Sequence, residues 1–400
     1  MNILSRIFCR IYQFALWSVF PLLPYREPLL IDNGVDGIPN TLLNEGKRRP
    51  LVITDEGIVK LGLCSILEAS LKNAGFEYSI YSNVVANPTT VNVADAIDIY
   101  KNDHCDCLIG FGGGSSIDTA KAVGACIANP RKSLSQMKGI LKVLHKIPLL
   151  IAIPTTAGTG SETTLASVIV DAETRHKYAI SDFPLIPKYA VLDPDMTRSL
   201  PRSLTATTGM DALTHAIESY IGKSNHKMTK IEAKIAVRLI FANLRTAFEN
   251  GDDMKARSNL LRASYLAGCS FTRSYVGYVH AIAHSLGGQY NIAHGYANAV
   301  ILPIVLDSYG DKINKKLKKL AIAANVADEL TPEDVAAKAF IDEIRNMNKY
   351  FGIGTSIPEI QVDDIALLSR NAAKEANPLY PVPVLLSAKE LEKQYYMIKG

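Results

Sequence analysis

The sequence has little of what distinguishes nucleic-acid-binding, secreted or membrane-spanning proteins. Its net charge of +4 is small for 400 residues, and the basic segment Lys312–Lys319 contains no aromatic side chain, so it indicates a solvated helix face and no nucleic-acid partner. Six cysteines show neither disulfide-like nor zinc-ribbon spacing, which predicts a reducing, cytoplasmic location. A hydrophobic content of 48% and a charged content of 20% are ordinary for a globular protein, and the chain is long enough for two domains.

The first 27 residues form an extension before the domains begin. Apolar residues recur there at helical spacing with Arg6 and Arg10 beside them, and these are Ile3, Leu4, Ile7, Phe8, Ile11 and Phe14. The apolar part, from residue 11 to 23, contains Pro21 and falls short of the ~20 residues of a membrane span. We expect an amphipathic helix that packs on the protein or on a partner. An anchor on a membrane surface is the less favoured alternative.

The remaining chain divides near residue 200 into two kinds of pattern. Before that point, apolar runs alternate with helical patterns such as the one from Ile58 to Ala74, which predicts an α/β fold with a parallel, doubly wound, Rossmann-like sheet. The predicted strands are Pro50–Thr54, Tyr78–Tyr81, Cys107–Phe111, Pro148–Ile153, Leu165–Asp171 and Ala190–Asp193. After Pro201 the long periodic patterns are helical, which predicts an all-α second half.

A glycine-rich turn, Gly110–Lys121, follows a buried strand and opens a helix. Backbone N–H groups in such a turn can approach a pyrophosphate, and the helix N-terminus favours its negative charge. The spacing differs from the G-x-G-x-x-G fingerprint, so a tight strand–helix connection is the alternative.

Two further polar features follow buried strands. The segment Pro154–Glu162 carries three threonines and one serine, which suit hydrogen bonding to a polar ligand, although a structural loop is also compatible. Asp55 follows the strand that ends at Thr54. A carboxylate there can accept hydrogen bonds from an adenosine ribose and would repel a 2′-phosphate, which favours NAD over NADP. Capping of the helix at Ile58 is the alternative for Asp55.

Four histidines and one aspartate gather in the second half. Asp211 and His215 are four residues apart, as are His280 and His284, so each pair shares one face of a helix, and His294 follows. Imidazole nitrogens with one carboxylate are what a divalent transition metal binds. A single histidine on a helix is more often structural, so this spacing leaves a structural role open.

Together these motifs resemble the iron-containing (group III) alcohol dehydrogenase family over roughly residues 28–400. The resemblance rests on Thr54-Asp55, Gly112–Ser115, Pro154–Glu162, Thr208–His215 and the later histidines. It implies a dinucleotide-binding domain at 28–200 and a metal-binding catalytic domain at 201–400, with the active site in the cleft between them.

The resemblance also implies roles for individual residues. The metal ligands would be Asp211, His215, His280 and His294, with His284 relaying the proton. The cofactor contacts would be Asp55, Gly113, Gly114, Ser115, Asp118, Thr155, Thr156, Thr159 and Lys177.

These assignments predict a metal-dependent, NAD(H)-linked alcohol dehydrogenase that interconverts a small primary alcohol and its aldehyde. The family implies Fe(II), although the ligand set also suits Zn(II), and NADP is less favoured than NAD. Bulky residues near the histidines, namely Phe271, Tyr275, Val276 and Tyr278, indicate a small or linear substrate. We expect a homo-oligomer, whose size the sequence does not define.

Two alternatives stay open at this point. A metal-dependent, NAD-using cyclase or lyase of the dehydroquinate-synthase type has a similar glycine turn. It requires a basic cluster for its substrate, and the region between His215 and His294 offers Arg273 but no such cluster. A scaffold protein with a structural metal would fill the coordination sphere with protein ligands.

Overall fold

The computed structural model describes residues 1–19 and 22–400, which form two compact units. The helical unit contains Met1–Leu23 and Pro201–Gly400, and the α/β unit contains Pro24–Leu200. Pro21, noted in the N-terminal extension, lies outside the described residues, as does Phe20. Within the described ranges, every helix is too short or too polar to cross a membrane.

The chain begins with helix α1 (Ile3–Val19) and then enters the α/β unit. The elements of the α/β unit are β1 (Leu29–Leu30), α2 (Ile38–Asn44), β2 (Pro50–Ile53), α3 (Glu56–Lys60), α4 (Leu63–Asn73), β3 (Ser79–Tyr81), α5 (Thr90–Asn102), β4 (Cys107–Gly112), α6 (Gly114–Ala128), α7 (Leu134–Met137), β5 (Gly139–Ile140), β6 (Leu149–Pro154), β7 (Ala166–Val170), β8 (Lys177–Ser181), β9 (Tyr189–Ala190) and α8 (Asp195–Arg198).

The main sheet has six strands in the order β1-β9-β6-β4-β2-β3, and every pair in it is parallel. Alternate side chains of its strands enter two separate cores. Leu108 packs with residues of α5 and α6 on one face, and Ile109 packs with residues of α2 and α4 on the other. Helices therefore cover both faces, which explains the near-continuous apolar strands. The predicted doubly wound parallel sheet is confirmed.

Two local predictions for this unit are wrong in detail. The predicted strand Leu165–Asp171 lies outside the main sheet, because β7 pairs antiparallel with β8 in a small sheet completed by β5. The connection between β7 and β8 is too short for the crossover that a parallel pair requires. The predicted helix Ile58–Ala74 is divided into α3 and α4 at Gly62, whose φ of +74° is left-handed.

The helical unit continues from residue 201 with nine helices among its described residues. They are α9 (Arg202–Ile221), α10 (Lys227–Glu249), α11 (Met254–Ser274), α12 (Tyr278–Tyr290), α13 (His294–Tyr309), α14 (Asn314–Ala323), α15 (Glu333–Tyr350), α16 (Val362–Ala376) and α17 (Ala388–Lys399).

Helix α9 is the centre of this unit, packed against α10, α11 and α13. Every residue from Gly209 to Ile221 is buried, including the polar Asp211, His215 and Glu218. Gly209 permits the close contact with α10, because a Cβ atom there would lie 2.3 Å from Leu244 Cδ1. Buried polar side chains require partners, and Asp211 and Glu218 find them on α13 and α12.

Candidate metal centre and cofactor-binding loops

Four metal-donor side chains converge inside the helical unit. Asp211 and His215 lie one turn apart on α9, His280 lies on α12, and His294 begins α13. One donor atom from each lies within 4.8 Å of the others. Asp211 Oδ1 is 3.8 Å from His280 Nε2 and 3.5 Å from His294 Nε2. Two atoms bound to one ion at ~2.1 Å each lie at most ~4.2 Å apart, so these separations fit a shared metal.

The cluster is closed on one side and exposed on the other. The ring of His215 lies between the rings of Phe271 and His280, with centroid distances of 4.2 and 4.4 Å. Asp211 and His280 are almost fully buried, whereas the side chain of His294 is 38% exposed. A small molecule can therefore approach the donor atoms from the His294 side.

Glu218, one turn after His215 on α9, holds His280 from behind. Its carboxylate accepts hydrogen bonds from Gly277 N at 2.9 Å and Val279 N at 2.8 Å, and it lies 2.6 Å from His280 Nδ1. Burial lowers the pKa of His280 well below its usual value, which favours the neutral ring. A neutral ring that donates from Nδ1 keeps the Nε2 lone pair for a metal.

Asn298 is a site residue that the sequence analysis missed. It is fully buried, and its amide nitrogen donates to Asp211 Oδ1 at 2.6 Å. The same nitrogen lies 3.1 Å from His294 Nε2 and 3.3 Å from His280 Nε2. The available signal was its position one turn after His294 on one helix face.

His284 stands apart from the four-donor cluster. Its Nδ1 lies 2.7 Å from Glu375 Oε1, which also accepts the hydroxyl of Tyr380 at 2.8 Å. The side chain of His284 is 42% exposed, and its ring stacks on His294 at 5.2 Å. Glu375, on α16, is a second residue that the sequence analysis missed, and no local pattern marks it.

Two other side chains near the histidines are occupied by protein groups. The guanidinium of Arg273 binds the Glu232 carboxylate and the Cys269 carbonyl. The hydroxyl of Tyr278 bonds to Asn377 Oδ1 at 2.9 Å and to Leu386, and its ring is fully buried. Tyr278 therefore links α12 to the segment between α16 and α17.

In the α/β unit, the predicted cofactor residues gather at the carboxyl ends of the adjacent strands β2, β4 and β6. Thr155 N donates to Gly112 O at 3.0 Å, which joins the loop after β6 (residues 155–165, the threonine loop) to the glycine turn. Asp55 accepts from Ile58 N at 3.1 Å, so it caps α3, and from Ser116 Oγ at 3.3 Å. Asp55 therefore caps α3, as the alternative interpretation predicted, and it also lies beside the glycine turn.

The glycine turn leaves the N-terminus of α6 uncapped by any side chain. Gly113 is the residue before the helix, and Gly112 has a φ of +147°. A Cβ atom on Gly112 would lie 2.5 Å from Ser116 Oγ, and one on Gly114 would lie 3.1 Å from Thr159 Cγ2. A side chain at Gly112 would be strained, one at Gly114 would require Thr159 to shift, and the helix N–H groups stay available to an anion.

Other members of the predicted cofactor set contact neighbouring loops. Ser115 Oγ donates to Ala86 O at 2.6 Å, and Lys177 Nζ donates to Asn87 Oδ1 at 2.9 Å. The side chain of Thr156 faces Gly113, because a Cβ atom there would lie 3.7 Å from Thr156 Cγ2. The nine residues thus occupy one region formed by the strand ends and the β7–β8 hairpin.

A buried lysine links α6 to the threonine loop and to the start of β7. Lys121 Nζ, on α6, donates to the carbonyl oxygens of Ser161, Thr164 and Ala166 at 2.7, 2.9 and 2.8 Å. Burial lowers the pKa of Lys121 to about 8. Asp118 accepts from Ser161 Oγ at 2.6 Å and from Val168 N at 3.0 Å, so it belongs to the same network.

Comparisons with known proteins place both halves of the chain in one family. The family described as "Iron-containing alcohol dehydrogenase" matches residues 31–194, and "Fe-containing alcohol dehydrogenase family, C-terminal" matches residues 205–395. The NAD-dependent methanol dehydrogenase of Bacillus methanolicus is 35% identical over 82% of this chain and 87% of its own length.

Solved structures agree as well. A 1,3-propanediol oxidoreductase superposes with a TM-score of 0.90 and 32% identity, covering 94% of this chain and 99% of that chain. The sulfoacetaldehyde reductase of Bifidobacterium kashiwanohense, solved with NAD+, superposes with a TM-score of 0.83 and 25% identity over 94% of this chain and 98% of its own.

Proposed function

This chain belongs to the iron-containing alcohol dehydrogenase family, and on that premise we propose that Asp211, His215, His280 and His294 hold the iron at which a small primary alcohol and its aldehyde are interconverted. The protein is an iron-dependent, NAD-linked alcohol dehydrogenase. The observation that carries the proposal is the convergence of three imidazole nitrogens and one carboxylate oxygen within 4.8 Å. This donor set suits Fe(II) and also accommodates Zn(II).

The residues around the cluster define what the protein supplies to the reaction. When bound, iron supplies a Lewis acid for the alcohol oxygen, and NAD supplies the hydride acceptor. Asp211 supplies one negative charge against the cation, and Glu218 orients His280. Phe271 covers one face of His215 and keeps water from it. A substrate would approach the donor atoms from the opposite side, beside the partly exposed ring of His294.

We assign NAD binding to residues 28–200 and metal binding to residues 201–400. The glycines Gly113 and Gly114 supply close backbone approach for the pyrophosphate, and Ser115, Thr155, Thr156 and Thr159 supply hydroxyl groups around it. Asp55 accepts the ribose hydroxyls, while Asp118 and Lys177 complete the contact set. Hydrogen bonds to Ala86, Asn87 and Ser161 orient Ser115, Lys177 and Asp118 for cofactor binding.

For His284 we predict separate effects on rate and on metal content. His284→Ala should retain iron and lower kcat at least ~100-fold, since a positioned general acid or base contributes about 10²–10⁴ in rate. The geometric support is the position of His284 beside His294, outside the four donors and bonded to Glu375. Steady-state rates and iron content of one preparation measure both. Loss of iron in this variant would contradict the division of roles.

For Asp55 we predict a change in cofactor preference. Asp55→Gly and Asp55→Asn should each reduce the NAD-over-NADP ratio of kcat/KM about tenfold, equivalent to ~1.4 kcal/mol, because both remove the charge that repels a 2′-phosphate. Asparagine can still cap Ile58 N, so it separates the charge effect from loss of the α3 cap. An unchanged ratio in both variants would remove the assignment.

A substrate panel tests the proposed function as a whole. Fe(II)-loaded protein is assayed with linear primary alcohols and their aldehydes, using NAD and NADP, and metal-free protein is the control. NADH formation that requires metal and declines with branching of the alcohol is the expected result. Full metal occupancy without cofactor binding would favour the scaffold alternative.

We further propose that the protein acts as a homo-oligomer in the cytoplasm. The support for a reducing compartment is that the six cysteines form no disulfide with one another and that five of them are buried. Sedimentation velocity of the purified protein measures the oligomeric state directly.

A further inference from the structure

Helix α1 packs on the helical unit with its polar side. Gln13 is buried and donates to the carbonyl oxygens of Pro378 and Tyr380 at 3.1 and 2.7 Å. Arg10 donates to the carbonyls of Val382 and Pro383 at 2.7 and 2.9 Å. An amphipathic helix of a globular protein normally buries its apolar stripe, so this orientation is inverted.

The apolar side of α1 faces outward as a continuous surface. The residues of this outer face are Ile3, Leu4, Ile7, Phe8, Ile11 and Phe14, each at least 50% exposed. A contiguous apolar patch of this kind marks a binding surface, because isolated apolar side chains are the norm on a protein that stands alone. The family matches cover residues 31–194 and 205–395, so this helix lies outside the matched residues.

Positive charge borders the outer face. A groove of about 760 Å³ runs beside α1, and its described lining contains five cationic side chains and no acidic one. The cations are Arg6, Arg10, Lys223, Lys312 and Lys316. Glu390 pairs with Arg6 and Asp311 with Lys312, both at exposed positions, which leaves an excess of positive charge.

The cations of this groove also repel one another. Burial, together with the nearby charges of Lys230 and Lys223, lowers the pKa of Lys316 to about 8. Along the chain, the first acidic residue is Glu27, so α1 itself carries only positive charge. A surface of opposite charge would relieve this repulsion.

We propose that the outer face of α1 docks the enzyme on a bilayer surface rich in acidic phospholipids. The apolar side chains would enter the headgroup boundary while the exposed cations Lys223 and Lys312 contact lipid phosphates, which is the arrangement of an interfacial helix. Arg10 and Lys316, whose side chains donate to backbone carbonyls, would add to the positive field. A second copy of the chain is the weaker candidate, since a twofold contact through α1 would bring the two cationic grooves together. The proposal does not depend on the catalytic assignment, because lipid binding is measured without substrate.

Vesicle binding of the full chain tests the proposal. Vesicles of 30% phosphatidylglycerol in phosphatidylcholine should sediment the protein at low ionic strength, whereas pure phosphatidylcholine should bind it far more weakly. Added salt should release it. The single tryptophan of the chain, Trp17, lies on α1 and stacks on His226 at 5.4 Å. Brominated phosphatidylglycerol should therefore quench its fluorescence, which localises the contact to α1.

Matched variants separate the two components of the surface. Leu4→Glu should weaken binding at least about tenfold, whereas Leu330→Glu, the same change at a 92% exposed leucine away from α1, should not. Lys312→Glu should weaken it about fivefold, against no effect for Lys349→Glu on α15. All four variants should retain alcohol oxidation, which verifies folding.

Three results would overturn the proposal. The first is that the full chain does not bind acidic vesicles, and the second is that Leu4→Glu and Leu330→Glu bind them equally. The third is that the wild type without lipid forms a larger assembly than Leu4→Glu and does not bind vesicles, in which case a second copy covers the outer face.

Discussion

Replacing His280 with alanine should abolish iron retention and, with it, alcohol oxidation. The ring of His280 lies at the centre of the cluster, stacked on His215 and 3.8 Å from Asp211 Oδ1 through Nε2. The substitution removes one nitrogen donor, and it also removes the Nδ1 partner of the buried Glu218 carboxylate. The loss of affinity should exceed the 10- to 100-fold that is typical when only an outer-shell partner is removed.

Metal content and rate should be measured on the same preparation of the His280 variant. Iron per chain is determined after dialysis against a weak chelator, and NADH formation is followed with and without added Fe(II). His145→Ala is the matched control, because His145 is exposed and lies in the α/β unit. A His280→Ala protein that holds one iron per chain would remove His280 from the ligand set.

Replacing Glu218 should weaken both the fold and the metal site, to different extents in two variants. Glu218→Ala leaves Gly277 N, Val279 N and His280 Nδ1 without their buried acceptor. Each donor left without a partner should lower the free energy of unfolding by about 1–3 kcal/mol. Glu218→Gln retains one acceptor oxygen and should recover part of that stability. It lacks the negative charge that makes His280 a stronger ligand, so its iron affinity should still fall about 10- to 100-fold.

The Glu218 experiment distinguishes a structural role from a positioning role. The unfolding midpoint in urea reports stability, and chelator competition on the folded protein reports iron affinity. Glu359→Ala, at an exposed glutamate of the same unit, controls for loss of charge. If Glu218→Gln bound iron as tightly as the wild type, the carboxylate would serve the fold alone.

Local periodicity was sufficient to predict the parallel sheet, whereas the full set of candidate metal ligands, Asp211, His215, His280 and His294, was implied by the family resemblance. The strands of the central sheet are apolar on both faces because helices cover both, so β2, β4 and β6 stand out in the sequence. The i, i+4 spacing of Asp211 and His215 places both on one side of α9, which the structure brings together with His280 and His294.

The residues that contact the histidines from outside the donor set, Glu218 and Glu375, could not be predicted from the sequence for a physical reason. Glu218 meets His280 across 62 positions of the chain, and Glu375 meets His284 across 91. Such pairs depend on how α9, α12 and α16 pack, and a single sequence contains no record of that packing. The inverted orientation of α1 was missed likewise, because an amphipathic pattern does not say which side lies against the protein.

We expect the buried ammonium of Lys121 to restrict the motion of the threonine loop. Residues 155–165 contain no strand and only one short turn of helix, and such a loop would ordinarily fluctuate on the nanosecond to microsecond scale. Three of the carbonyls in and beside this loop are instead held by one side chain of α6. Opening of the loop would leave a buried cation without its hydrogen-bond acceptors. We therefore expect the loop and α6 to unfold as one cooperative unit, with backbone amides that exchange with solvent together and slowly.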